Sequence, residues 1–411
     1  MSDWGDVGRK NMTVWCLAAA LCLMAGMQAW ARPVPPIIEG QSAILVDAVS
    51  GKVLHQKACR ARRSPASTTK MMTAILALEH CQLDEVFQAS PQVCKTPHGN
   101  LNLKPGEELD LENLLTATML RSANDGAECV AEHVAGSESK FAEMMNAKAK
   151  EIGAKDTHFV NPHGLYNPKH YSTAYDLAVI ARYAIKLPKF NEVVRTKTVR
   201  IERSINNKDV YVKNTARFLW RYEGADGIKT GYTREAGRCF VGSATRGGWR
   251  LIAVVLKSKD AGKDTAALLD YGFKYYKPVC YAKTTDVAAT VPVAGGVSRT
   301  VDLVPSRDLG VVLRKSDRAE SRTEIDAGRA AAPVTKGEKL GTLTGYLNGE
   351  KVGTVDLVAA ESVDRTPAAT VWVWIRSTLA VTTLVFLGFI TYGTKAAKAA
   401  RRRRRGFTSR G

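Results

Sequence analysis

The chain has 411 residues, 45% of them hydrophobic and 24% charged, which excludes a disordered or fibrous protein and leaves room for a sizeable core. Its 59 Lys plus Arg against 40 Asp plus Glu give a net charge of +19, suited to nucleic acid, an anionic membrane or an anionic polymer. Eight of the cations (Lys395, Lys398, Arg401 to Arg405 and Arg410) fall in the last 17 residues, so only +11 of the +19 belongs to the rest. The strongest basic run is therefore a tail and not a folded nucleic-acid face, and no DNA-binding motif accompanies it.

In chain order, Asn11 to Ala31 carries no charge, follows Arg9 and Lys10, and ends in Ala29-Trp30-Ala31, so residues 1–31 are expected to be a cleaved secretory signal. Residues 32–41, with Pro33 to Pro36, form a spacer. Ser42 to Asp47 alternates as a strand, and Ser50-Gly51 turns into a second at Lys52 to His55. Ser64-Pro65 opens a helix whose apolar periodicity runs through Met71 to Leu78. Further helices are expected at Leu111 to Leu120, Ala127 to Val134, Lys140 to Ile152 and Thr173 to Ile185. From Gly227 strands return, at Gly227 to Thr230, Cys239 to Thr245 and Arg250 to Leu256, and a helix near Lys263 to Phe273 closes the region.

Strands at both ends of a helical middle predict an α+β fold, an antiparallel sheet flanked by helices over residues 42–276, with the first strands returning beside the last. Residues 283–360, rich in Val, Thr and Gly around the Asn348-Gly349 turn, predict a small all-β domain. Residues 371–393 carry one charge, Arg376, and as a helix rising ~1.5 Å per residue would span a bilayer. With the cationic tail 394–411 behind it, the positive-inside rule puts the tail in the cytoplasm and everything earlier outside. The expected location is the cell membrane, held by a single C-terminal anchor.

Six cysteines, Cys59, Cys81, Cys94, Cys129, Cys239 and Cys280, remain after the signal, and they permit 15 pairings. Some disulfides are expected, although spacing selects none. There is no C-x-x-C or Cys/His zinc spacing, so no metal site and no cofactor is predicted.

Three short motifs occur in order: Ser67-Thr68-Thr69-Lys70, Ser122-Ala123-Asn124 and Lys229-Thr230-Gly231. Each is weak alone, because Ser137 to Lys140 also fits S-x-x-K and Ser204 to Asn206 also fits S-x-N. Placement strengthens them. On a helix Ser67 and Lys70 share a face, and a lysine near a helix N-terminus gives up its proton more easily, which suits a base for the Ser67 hydroxyl. Ser122 and Asn124 fall in a break between helices, where they can relay a proton or hold an amide. Lys229 and Thr230 on a strand offer a charge and a hydroxyl to an anion, and Gly231 admits a close backbone.

The ordered set resembles the penicillin-recognising serine enzymes. More closely, the chain is similar to the D-alanyl-D-alanine carboxypeptidases of the low-molecular-mass penicillin-binding protein type. Pro65 to Ala74, Leu120 to Asp125, Phe159-Val160-Asn161-Pro162-His163-Gly164-Leu165 and Asp226 to Thr233 carry the resemblance, which extends from about Ser42 to Phe273 and more faintly to about 360.

The resemblance implies a β-lactamase/transpeptidase-like fold. It makes Ser67 the acylated nucleophile, Lys70 its base, and Ser122 with Asn124 the proton carrier and peptide-orienting pair. Lys229 with Thr230 would bind the terminal carboxylate, and the N–H groups of Ser67 and Tyr232 would form an oxyanion hole. Substrates would be peptidoglycan stem peptides, and β-lactams would inhibit. Ala123 departs from relatives with Asp or Gly there, and no family arginine for the carboxylate is evident, leaving Lys263 as its stand-in. Asn161 to Leu165 is expected to shape the site floor.

Two alternatives remain. A serine β-lactamase shares the motifs, but no Glu-x-x-Leu-Asn segment lies between Asn124 and Lys229. A non-catalytic wall-binding scaffold would have no need of Ser, Lys and Asn together. Hydrolysis, cross-link cleavage and transfer use the same acid–base residues, so their balance stays open.

Overall fold

The computed structural model describes residues 34–98 and 101–372, with scattered positions of a helix between 375 and 395. The expected signal, 1–31, lies outside the described residues, as does the tail from 396, and the expected span 371–393 is described only in part. Among the described residues no helix is long and apolar enough to cross a membrane.

The chain folds into two units, the first reaching to Val279 and including Val311–Arg318, the second comprising Cys280–Gly310 and the chain from Ala319. The return of Val311–Arg318 to the first unit interrupts the stretch expected to be one β domain.

The first unit is built on a five-stranded sheet. Its strands are β1 (Ser42–Asp47), β2 (Val53–Lys57), β3 (Ala225–Thr233), β4 (Gly237–Arg246) and β5 (Trp249–Ser258). Their order is β2-β1-β5-β4-β3, and every pairing is antiparallel. The first strand thus returns beside the last, Ala43 opposite Val255 and Leu45 opposite Ala253. Both faces of β1 and most of β5 are buried, so β1 forms as a strand but without the alternation of burial expected of it. Ile44, Val46, Ile252 and Val254 face the larger core; Ala43, Leu45, Leu251 and Ala253 face the smaller one.

The larger core is closed by α1 (Lys70–His80), α2 (Leu111–Arg121), α3 (Asn124–Ala135), α4 (Glu138–Glu151), α5 (Ala174–Ala184) and α6 (Pro188–Arg195). Helix α7 (Ala261–Tyr275) covers the other face through Ala261, Leu268 and Leu269. Caps fix several helix starts: Asp110, Ser137, Thr173 and Asp260 each accept a backbone N–H from the first turn. Sequence reading missed α6 and two short hairpins, Val86–Gln88 with Glu108–Asp110 and Thr198–Arg200 with Tyr211–Lys213. Three-residue strands are too short to display an alternation.

The second unit carries a six-stranded sheet, with strands in the order Ser321–Ala327, Lys339–Leu347, Glu350–Ala359, Thr300–Pro305, Ala289–Ala294, Ala330–Ala331. Asn348 and Gly349, both at positive φ (50° and 82°), make the tight turn of its longest hairpin. Val301, Leu303, Leu343, Val355 and Leu357 fill its core.

All six expected cysteines are free thiols, so no disulfide forms among the described residues.

Candidate active site

Ser67 lies in a 3₁₀ turn, Ala66–Thr69, that leads directly into α1 at Lys70. The expected shared face is therefore made across a tightened first turn, not within a regular α-helix. Ala66, just before the serine, sits at φ 49°, a left-handed conformation that costs a non-glycine residue energy. Its surroundings hold it there. Thr69 Oγ1 donates to the Ala66 carbonyl at 2.7 Å and meets His170 Nε2 at 2.9 Å. Because the Val160 N–H donates to His170 Nδ1 at 3.2 Å, the ring proton sits on Nε2 and completes a chain from His170 through Thr69 to Ala66. Gly164, at φ 86°, packs so closely that a Cβ there would lie 1.9 Å from the Ala66 oxygen.

Lys70 is fully buried, and three neutral groups face its amine. Its Nζ lies 3.3 Å from Ser67 Oγ, 2.7 Å from Asn124 Oδ1 and 2.8 Å from the His163 carbonyl oxygen. The Asn161–Leu165 segment positions that carbonyl: Asn161 accepts from the Gly164 N–H at 2.7 Å and donates to the Leu165 carbonyl at 3.0 Å. The expected floor of the site is thus also a ligand of the base. Burial, and then the charge of Lys229, hold Lys70 well below the ordinary lysine range, with Asp125 opposing them weakly.

Ser122 ends α2 in the left-handed region (φ 60°), and Asn124 opens α3, so the second motif is the break between two helices. The Asn124 amide donates to the Pro97 carbonyl at 2.9 Å while its oxygen faces Lys70. Lys229 is buried on β3, donates to the Thr230 carbonyl at 3.0 Å, and is pushed down to about 7 by burial. Gly231 abuts the nucleophile, since a Cβ there would lie 3.0 Å from Ser67 N and 3.1 Å from the Pro65 oxygen.

A cleft of about 1470 Å³ opens over these groups, lined by Ser67, Ser122, Asn124, Thr230, Gly231 and Tyr232. Six of the eight sequence-predicted residues thus line one opening. The other two, Lys70 and Lys229, are buried and are not among the lining residues. Lys263 lines the same cleft, with five cations that sequence reading missed: Arg217, Arg221, Arg234, Arg238 and Lys259. Arg217 precedes and Arg221 ends the short helix Phe218–Arg221, Arg234 and Arg238 lie at the β3–β4 turn, and Lys259 lies between β5 and α7. Glu235 and Asp260 are the acids of that lining, so the opening is strongly cationic. Ser137, of the competing S-x-x-K, caps α4 by accepting the Lys140 N–H, an ordinary helix start.

A serine hydroxyl beside a buried amine that, among the described residues, has no carboxylate partner is the arrangement of a serine acyl-transfer enzyme. Residues 29–260 match the family model described as D-alanyl-D-alanine carboxypeptidase, and residues 276–365 match that of the penicillin-binding protein 5 C-terminal domain. The chain is 33% identical to D-alanyl-D-alanine carboxypeptidase DacF of Bacillus subtilis over 80% of this chain and 86% of that relative. It is 30% identical to DacA of Escherichia coli over 80% and 85%. The solved structure of penicillin binding protein 5 from Haemophilus influenzae superposes with a TM-score of 0.61 at 27% identity, covering 81% of this chain and 99% of that one. The chain belongs to the D-alanyl-D-alanine carboxypeptidase family, the low-molecular-mass penicillin-binding proteins that work as serine peptidases.

Proposed function

We propose that this serine D,D-carboxypeptidase removes the terminal D-alanine of peptidoglycan pentapeptides through an ester on Ser67. The observation that carries the reading is the Lys70 amine, buried against Ser67 Oγ, Asn124 Oδ1 and the His163 carbonyl with no carboxylate beside it. Burial holds this amine well below the ordinary lysine range, so it releases its proton more readily and can turn a lone pair toward Ser67. It takes the Ser67 proton as the serine oxygen attacks the carbonyl of the penultimate D-alanine. The peptide bond then breaks, a proton passes by way of Lys70 and Ser122 to the leaving amine, and free D-alanine departs. Water hydrolyses the ester and restores Ser67. The N–H groups of Ser67 and Tyr232 receive the developing oxyanion, a donor pair whose members are each worth ~3–4 kcal/mol of barrier. Thr230 and the cationic rim hold the substrate carboxylate, and Asn124 orients the peptide. β-Lactams, which offer a strained amide and a carboxylate to the same groups, are expected to trap Ser67.

We also place the peptidase outside the membrane, with 1–31 as signal and 371–393 as anchor. The 23-residue stretch has a single charge, and the cations that follow it support a cytoplasmic tail. Protease treatment of intact cells should digest the catalytic unit and spare the tail; protection of the catalytic unit would refute this orientation.

The decisive experiment follows intact mass over time after addition of benzylpenicillin, with peptide mapping. A persistent adduct on Ser67, together with D-alanine release from a pentapeptide, is the expected result. Rapid loss of the adduct with penicillin turnover would instead make the protein a β-lactamase, and absence of an adduct from folded protein would sink the acyl-enzyme reading.

A further inference from the structure

Away from the cleft, three side chains from different elements converge. Cys81 directly follows α1, Glu85 lies four residues on, and His133 stands in the last turn of α3. One sulfur, one carboxylate oxygen and one imidazole nitrogen lie within 4.8 Å of one another. His133 Nε2 is already 2.8 Å from Glu85 Oε1. The Gln82 N–H holds the other Glu85 oxygen at 3.1 Å, and the His133 ring stacks on Phe87 with centroids 3.9 Å apart, which fixes both ligands in place.

We propose that Cys81, Glu85 and His133 bind a divalent transition-metal ion of the zinc type, with water completing the coordination. Metal–ligand bonds of ~2.0–2.3 Å in a tetrahedron separate the ligand atoms by roughly 3.3–3.8 Å, so small side-chain rotations close the present arrangement. A thiolate, an imidazole and a carboxylate together suit zinc or cobalt and not magnesium or calcium, which take oxygen ligands. Among the described residues no hydrogen bond to His133 Nδ1 accompanies the one at Nε2, so the ring proton can move to Nδ1 and leave Nε2 for the ion.

A second cluster, Glu128, Glu138 and His163, has comparable spacing but lacks this freedom. The Leu165 N–H donates to His163 Nδ1 at 3.2 Å, which keeps the proton on Nε2 and makes that nitrogen a poor ligand.

The placement gives the ion a role. Helix α1 begins with Lys70 and α3 begins with Asn124, which hydrogen-bond each other at the catalytic end. The ion would tie the opposite ends of the same two helices, so its main effect is on stability.

The test uses the full chain, stripped by chelator, kept reduced and titrated with Co²⁺. The expected result is one Co²⁺ per chain with a thiolate-to-cobalt charge-transfer band, displaced by Zn²⁺. That band should vanish in Cys81→Ser, and Co²⁺ binding should weaken at least tenfold in His133→Ala and Glu85→Gln. Zinc at a hundredfold excess over its dissociation constant should raise Tm by about 5–10 °C in the parent chain and much less in Cys81→Ser. Labelled penicillin reports whether each variant is folded, independently of metal. Wild type without the band, or Cys81→Ser retaining it, would overturn the proposal.

Discussion

Two places in the peptidase unit bury a cation completely, and they treat it in opposite ways. Arg203 and Glu107 lie wholly out of solvent, joined by Nε to Oε1 at 2.7 Å and Nη2 to Oε2 at 3.2 Å. The Leu101 carbonyl accepts from the same guanidinium, and the N–H groups of Lys104 and Asn206 reach Glu107. Burial drives the Glu107 carboxyl up, but the Arg203 bond and these N–H donors outweigh it and leave it below its usual range. At Lys70 and Lys229, by contrast, no carboxylate touches either amine among the described residues, and both fall below the lysine range. Equal burial thus favours the charged form where it has a partner and disfavours it where it does not. A structural brace needs the first arrangement, and a general base needs the second.

The largest effect should come from making the catalytic cation permanent. Lys70→Arg cannot release its proton, so acylation of Ser67 by labelled penicillin should fall by about 10²–10⁴-fold. A near-normal rate would show that Lys70 is not the base.

Next comes the brace. Arg203→Met leaves Glu107 buried without its partner and should cost ~3–5 kcal/mol of stability, read from urea denaturation. The depressed Glu107 contributes stability above the unfolded carboxylate value that is lost as pH falls through its folded value, so the variant should lose less than the parent on acidification.

Giving the base a partner should convert one arrangement into the other. Asn124→Asp puts a carboxylate where Oδ1 stands 2.7 Å from Lys70 Nζ, which favours the ammonium. Acylation at pH 7 should drop by roughly tenfold or more and recover at higher pH. A loss that does not recover would assign Asn124 to substrate orientation alone.

The smallest effect is on stability against pH. With Lys229 at about 7 in the fold and 10.5 for an ordinary lysine, the unfolded chain binds more protons between those values. This contribution therefore favours folding increasingly as pH rises across that window and is fully unfavourable at and below the folded value. Urea midpoints taken from pH 7 to 9 should show a shallower rise in Lys229→Met than in the parent.

Legibility of the molecule varied with the range of the forces involved. β1 was expected as an alternating strand and is instead buried on both faces, whereas α2 to α5 were readable because their apolar residues recur at helical spacing. The pairing of β1 with β5, more than 200 residues away, followed only from the order of elements. Short hairpins escaped notice, since their strands are set by neighbours. The grouping of Cys81, Glu85 and His133 was not legible because they meet only through the packing of α1 on α3.

By itself the sequence determined the reactive groups: Ser67 three residues before Lys70, Ser122 and Asn124 flanking a helix break, and Lys229-Thr230-Gly231 on a strand, all of them local chemistry written in adjacent residues. Only the tertiary structure decided what those groups can do. The His163 carbonyl, the unpaired burial of two lysines, the rim of arginines and the His170–Thr69–Ala66 chain depend on segments distant in sequence. A proton's affinity for an amine is set by every dipole and charge around it, and those arrive from the whole fold.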